Sequence, residues 1–100
     1  MLRGVSRRDK ILLTHREAIR SAAIRHNAHS IALVGSVARG DDDESSDYDF
    51  LAEFLPGTTL FDIAELELEL QDLLGRKVDV AEASALPARS RSMLEDAIPL

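Results

Sequence analysis

The sequence predicts a small α/β (α+β) fold, and three observations predict it. A helical stretch near the N-terminus leads into a short apolar run, Ile31–Val34, that stops at Gly35. A strand–helix–strand unit follows between Asp47 and Ala81. Turn residues separate the segments of that unit, Pro56-Gly57 after the first strand and Gly75 after the helix. The 100 residues show no repeat, linker or low-complexity stretch, so one domain over residues 1–100 is expected. A chain of this size buries roughly 60–70% of its unfolded surface, enough for a modest core.

Each element has a local reason. Ser6 stands as an N-cap with Asp9 at the third helical position, so a helix is expected over about residues 7–26. Ile11, Leu12, Ala18, Ile19, Ala22 and Ala23 form its apolar face. Ile31–Val34 is short, half β-branched and bounded by polar residues, as a buried strand is. Ser36 to Ser46 reads as a turn with room for a short helix, then a strongly acidic loop. Asp47–Phe54 alternates as a strand. Tyr48, Phe50, Ala52 and Phe54 share one face, and Asp47, Asp49, Leu51 and Glu53 share the other. The aromatic face is expected to pack on helices, leaving the opposite face to the acids.

Thr59 caps the next helix with Asp62 three residues on, and Gly75 stops it. Its expected core stripe is Ile63, Leu66, Leu70, Leu73 and Leu74, with Glu65, Glu67, Glu69 and Asp72 on a solvated face. Residues 65–70 alternate as a strand would, but the cap, the length and the glycine stop decide for helix. Lys77–Ala81 is the third strand, with Val78 and Val80 on one side and Asp79 on the other. A last helix is expected after Pro87, ending before Pro99. The crossover through the middle helix makes the strands at 47–54 and 77–81 parallel. If they are neighbours, Asp79 lies beside Asp47 and Asp49.

Bulk properties exclude several classes. Apolar content of 45% with 30% charged residues is that of a globular protein. A net charge of −6 argues against general nucleic-acid binding, which needs a basic surface, and suits a basic protein partner. The absence of cysteine excludes disulfides and thiolate zinc sites and fits a cytoplasmic protein. No apolar run has membrane-spanning length. Ile11-Leu12-Leu13 is too short for a signal core and is followed by His15, Arg16 and Glu17.

The chemistry gathers around Gly35-Ser36 and the three aspartates. A small pair at a strand end lets phosphates approach the backbone and offers them a hydroxyl. Three carboxylates on one sheet face repel each other, and a divalent cation removes that conflict. Magnesium takes oxygen ligands and commonly binds one or two carboxylates together with substrate phosphates. Two such ions about 3.5–4 Å apart can clamp the attacking and leaving oxygens of an in-line displacement. Asp47, Asp49 and Asp79 are therefore the candidate metal-binding and catalytic residues, with Asp79 also able to accept a proton. Gly35, Ser36 and Arg39 are the candidate nucleotide-binding residues. Gly35 and Gly40 frame a G-x4-G, but Asp41 stands where a P-loop needs lysine, which rejects that motif.

Other polar residues carry less. His15, His26 and His29 read as surface or capping residues, and Tyr48 as core. Arg89 and Arg91 read as solvated surface, with phosphate or partner contact as the alternative. The run Asp41–Glu44 reads as wet surface or a partner-facing patch.

The motifs Val34-Gly35-Ser36-Val37-Ala38-Arg39-Gly40, Ser46-Asp47-Tyr48-Asp49-Phe50-Leu51 and Arg76-Lys77-Val78-Asp79-Val80, with the Leu- and Glu-rich helix ending Leu73-Leu74-Gly75 and the tail Ala97–Leu100, carry a resemblance that spans nearly the whole chain. Together they resemble the minimal nucleotidyltransferase (MNT) antitoxins of HEPN–MNT toxin–antitoxin pairs, within the DNA polymerase β-like superfamily. The resemblance implies a small mixed sheet with flanking helices, magnesium, and ATP as donor. It also implies AMP transfer to a tyrosine of a HEPN ribonuclease toxin, which silences the toxin. Val37 stands where many members carry arginine, and Tyr48 where isoleucine or leucine is usual. An antitoxin that acts by binding alone, and transfer to a small molecule, are the alternatives. One hundred residues leave little surface to enclose a second small substrate, which favours an acceptor carried by a partner.

Overall fold

A computed structural model describes residues 6–100. Its centre is a four-stranded sheet in the order β3-β2-β1-β4. β1 (Ala28–Val34) pairs antiparallel with β2 (Tyr48–Phe54), and β2 pairs parallel with β3 (Val78–Glu82). β4 (Ile98–Pro99) closes the other edge, antiparallel to β1. The sheet is therefore mixed.

The helical stretch before β1 has three parts: α1 (Arg7–Lys10), a π segment (Ile11–His15) and α2 (Arg16–Arg25). Ser6 caps it as expected, its hydroxyl accepting the Asp9 N–H at 3.0 Å. The π segment was not foreseen. A π turn advances less per residue than an α turn, so it aligns Ile11 with Ile19, Ala22 and Ala23 and turns Ala18 outward. Those four are buried and Ala18 is exposed, which corrects its assignment to the apolar face.

Asn27 adopts a left-handed φ of 68°, which asparagine tolerates, and swings the chain from α2 into β1. β1 begins three residues earlier than expected, and its pairing with β2 shifts register between Ala28 and Ser30. After β1 comes α3 (Gly35–Arg39), the short helix for which the turn had room.

α4 (Leu60–Leu74) crosses from β2 to β3. Thr59 and Asp62 form a reciprocal capping box, with the Asp62 N–H donating to the Thr59 hydroxyl and the Thr59 N–H to the Asp62 carboxylate. Gly75 ends the helix at φ 72°. Leu66 and Leu70 are fully buried, Ile63 and Leu74 half-buried, and Leu73 lies on the exposed margin of the stripe. β3 is an edge strand, and α4 covers its outward N–H groups. Val80 donates to the Glu67 carboxylate at 2.8 Å and Val78 to the Gln71 side chain at 3.2 Å. Glu67 is thus a structural acceptor rather than part of a wet face.

The segment after Pro87 is a 3-10 helix, Ala88–Leu94, preceded by a 3-10 turn, Ala83–Ala85. Neither buries a residue, so no apolar stripe selects the α-helical repeat there. β4 was not anticipated, because two residues, one of them proline, carry no strand pattern. Pro99 is tolerated at the sheet edge, and the Leu100 N–H continues the pairing to the Ile31 carbonyl at 2.9 Å.

The aromatic face of β2 packs with β1, β3 and the helices into one core. Phe50, Leu33, Ile11, Ile19, Leu66 and Leu70 are among its fully buried side chains. Tyr48 is buried there too, 6.5 Å ring to ring from Phe50, with the Arg7 guanidinium over its ring at 5.9 Å. Among the described residues no helix is long and apolar enough to cross a membrane.

Candidate active site

The sheet register brings the acids together. Val34 and Asp49 are cross-strand partners in the antiparallel pair, and Asp49 and Asp79 are partners in the parallel pair. Partners on neighbouring strands lie about 4.8 Å apart, so Asp79 stands next to Asp49 although 30 residues separate them. Val78 and Val80 turn inward and are buried, which turns Asp79 out to the opposite, exposed side. Asp47, just before β2, and Asp49 are both half-buried. They stand two residues apart on the extended chain and so face the same way.

Gly35 abuts this site. Its φ is +75°, a left-handed conformation that disfavours side chains. A Cβ there would also lie 2.7 Å from Asp49 Oδ2, inside van der Waals contact. The Asp49 carboxylate therefore rests against the Gly35 backbone. Ser36 follows in the first turn of α3, half-buried, and Arg39 in its last turn. Arg39 pairs with Asp41 at 3.1 Å and lies 3.9 Å from Asp96.

Burial pushes the Asp49 carboxyl above its ordinary range, and the charges of Asp79 and Asp47 push it further, opposed by Lys77 and Arg39. All three aspartates thus act on one electrostatic neighbourhood. An all-carboxylate donor set whose members repel one another suits a hard divalent cation such as magnesium. Among the described residues no three acidic or histidine side chains are gathered tightly enough to hold a metal by themselves. A magnesium ion that completes its shell with substrate phosphates does not require that they be.

The loop leading to Asp47 is held by arginines whose part in it no local sequence pattern reveals. Arg7 donates to the Ser46 carbonyl at 2.7 Å and to the Asp43 carbonyl at 2.9 Å, and lies 3.6 Å from Asp42. Arg76 donates to the Glu44 carbonyl from the far side. Arg8 donates to the Ala38 carbonyl and flanks Gly40. Within the loop, Asp43 accepts from Ser45 and Ser46, which holds its carboxyl below the usual carboxylate range. Arg7 stands 39 residues before Ser46, so no local pattern could have revealed this contact. Half-buried His26 lies beside Glu69 at 3.0 Å and exposed His29 lies near Glu53, so neither pairs with Asp47, Asp49 or Asp79.

The model of the nucleotidyltransferase domain family matches residues 15–100. The chain belongs to that family. It is a minimal nucleotidyltransferase of the polymerase β-like superfamily, related to MntA. "Putative protein adenylyltransferase MJ0128" of Methanocaldococcus jannaschii is 35% identical over 99 residues, 97% of this chain and 98% of that protein. "Protein adenylyltransferase MntA" of Thermococcus cleftensis is 36% identical over 78 residues, 78% of this chain and 76% of that one. A solved "putative minimal nucleotidyltransferase" superposes with a TM-score of 0.78 at 46% identity, covering 89% of this chain and 92% of its own. A toxin–antitoxin crystal structure with AMP-PNP reaches a TM-score of 0.72 at 18% identity over 87% of this chain and 72% of its own, a likeness of fold. The polymerase β-like fold and the enzyme class expected from the motifs are thereby established for this nucleotidyltransferase.

Proposed function

We propose that this nucleotidyltransferase is the antitoxin of a toxin–antitoxin pair and transfers AMP from ATP to a tyrosine hydroxyl of a HEPN ribonuclease toxin. The observation that carries the chemistry is the pairing of Asp49 with Asp79 across β2 and β3, beside Gly35. The adenylyltransferase names of its relatives supply the donor class, and the toxin–antitoxin assemblies among its structural neighbours supply the partner class.

In this reading Gly35 and Ser36 receive the β- and γ-phosphates, the glycine by allowing close approach and the serine through its hydroxyl. Arg39 leaves Asp41 to balance phosphate charge. Asp47 and Asp49 would hold magnesium with the triphosphate, and Asp79 would complete a second magnesium on the acceptor side. When bound, the ions neutralise phosphate charge and polarise the reacting oxygens. The tyrosine oxygen forms a bond to the α-phosphorus. The bond from the α-phosphorus to the α–β bridging oxygen breaks, and pyrophosphate leaves. Asp79, the most exposed of the three positions, accepts the phenolic proton. The clamps on the loop at 41–46 hold Asp47 in register while this occurs.

The test is transfer of label from α-labelled ATP to the co-purified toxin. Asp47→Asn with Asp49→Asn abolishes the transfer while the complex stays intact. Undiminished transfer by that variant refutes the assignment. Protection of cells by the same variant would favour neutralisation by binding alone.

A further inference from the structure

We propose that the outward face of α4 is a docking surface for an amphipathic helix of a partner protein, apolar along its centre and basic along its edges. α4 is apolar on two opposite sides. One side carries Ile63, Leu66, Leu70 and Leu74 into the core. The other carries Leu60, Phe61, Ala64 and Leu68, which follow i, i+4, i+8 and i, i+3, i+7 spacing and so form a single stripe. That second stripe faces solvent: Leu60 is 83% exposed, Phe61 80% and Leu68 60%. Single exposed leucines are ordinary on a protein surface, but four apolar residues aligned on one face of a helix are not.

Charge decides the occupant. Glu65 and Asp72 lie seven residues apart along one edge of the stripe, both exposed. Asp72 makes no ion pair among the described residues, and Glu65 reaches only His26 Nδ1, at 4.0 Å. Glu67 and Gln71 border the other edge, turned toward β3. A second copy of the chain packed antiparallel on this stripe would set the Glu65–Asp72 edge against itself. Packed parallel, it would set that edge against Glu67. Both arrangements oppose like charges, and the chain already carries a net charge of −6. A helix with lysine or arginine at heptad spacing beside a leucine or isoleucine seam complements both the stripe and its edge. The Asp49 and Asp79 side chains lie on the face of the sheet opposite the core that α4 covers, because Val78 and Val80 pack inward with Leu66 and Leu70. Docking here therefore leaves the acids open to an acceptor on the same partner.

This inference rests on the existence of the toxin partner proposed above, but not on catalysis. The test uses the complex with the co-expressed HEPN toxin, read by hydrogen exchange and by equilibrium binding. Residues 60–72 gain protection in the complex. Phe61→Asp and Leu68→Asp, both at solvent-exposed positions, each weaken binding by about tenfold or more. Asp47→Asn with Asp49→Asn leaves affinity unchanged, so loss of transfer and loss of docking are read separately. Glu65→Lys with Asp72→Lys weakens binding and makes it less dependent on salt. Protection confined to other elements, full affinity in the Phe61→Asp variant, or failure of the toxin to bind overturns the proposal. So does a homodimer of the free chain that Phe61→Asp dissociates, because a second copy would then be the occupant.

Discussion

At the scale of single residues, Gly35 and Asp49 are one unit. Gly35→Ala meets a strained φ and a 2.7 Å contact with the Asp49 carboxylate. It is expected to cost the fold about 1–3 kcal/mol and, by displacing that carboxylate, to slow AMP transfer by about 100-fold. Thermal melting and single-turnover transfer measure the two effects. Asp49 itself is destabilising in the absence of metal. Its folded pKa is raised, so ionised Asp49 penalises the native state, fully above the folded pKa and not at all below the unfolded value of about 3.9. Metal-free Asp49→Asn should therefore melt higher than the parent at neutral pH, and the difference should shrink as pH falls toward that unfolded value. Added magnesium should raise the melting temperature of the parent and leave the variant nearly unmoved. A variant that melts lower at neutral pH contradicts the electrostatic account of the site.

At the scale of elements, α4 does more than cover the sheet. Its capping box fixes where it starts, and Thr59→Ala should cost about 1 kcal/mol in denaturant unfolding. Its Glu67 side chain satisfies the Val80 N–H on the free edge of β3. Glu67→Ala should cost about 1–3 kcal/mol and Glu67→Gln much less, since the amide oxygen can still accept. Equal losses for the two would mean that the contact is not structural. The elements with their own signals were legible in the sequence: the Thr59–Asp62 box, the Gly75 stop, the alternation of Tyr48 to Phe54. The π segment, the 3-10 character of Ala88–Leu94 and the two-residue β4 were not. The first is a phase correction that only packing reveals. The second lacks a buried face. The third exists only because β1 offers it an edge.

At the scale of the whole molecule, Asp79 is far from Asp47 and Asp49 in the chain and near them in space for one reason, the parallel crossover through α4. That convergence was legible because a strand–helix–strand unit leaves little choice of topology and the inward valines fix the phase of Asp79. The arginine clamps on the acidic loop were not legible, because Arg7 meets Ser46 only once helix and sheet have packed. The negative molecule should also be steered to a basic toxin. Its association rate should fall several-fold between low and high salt, and a salt-independent rate in stopped-flow mixing would contradict that charge argument. The most direct measurement of the central claim is single-turnover transfer of labelled AMP to the bound toxin by Asp79→Asn. With the complex intact and ATP saturating, the rate should drop by about 100-fold or more. A rate equal to the parent's would mean that Asp79 takes no part, whatever its nearness to Asp49.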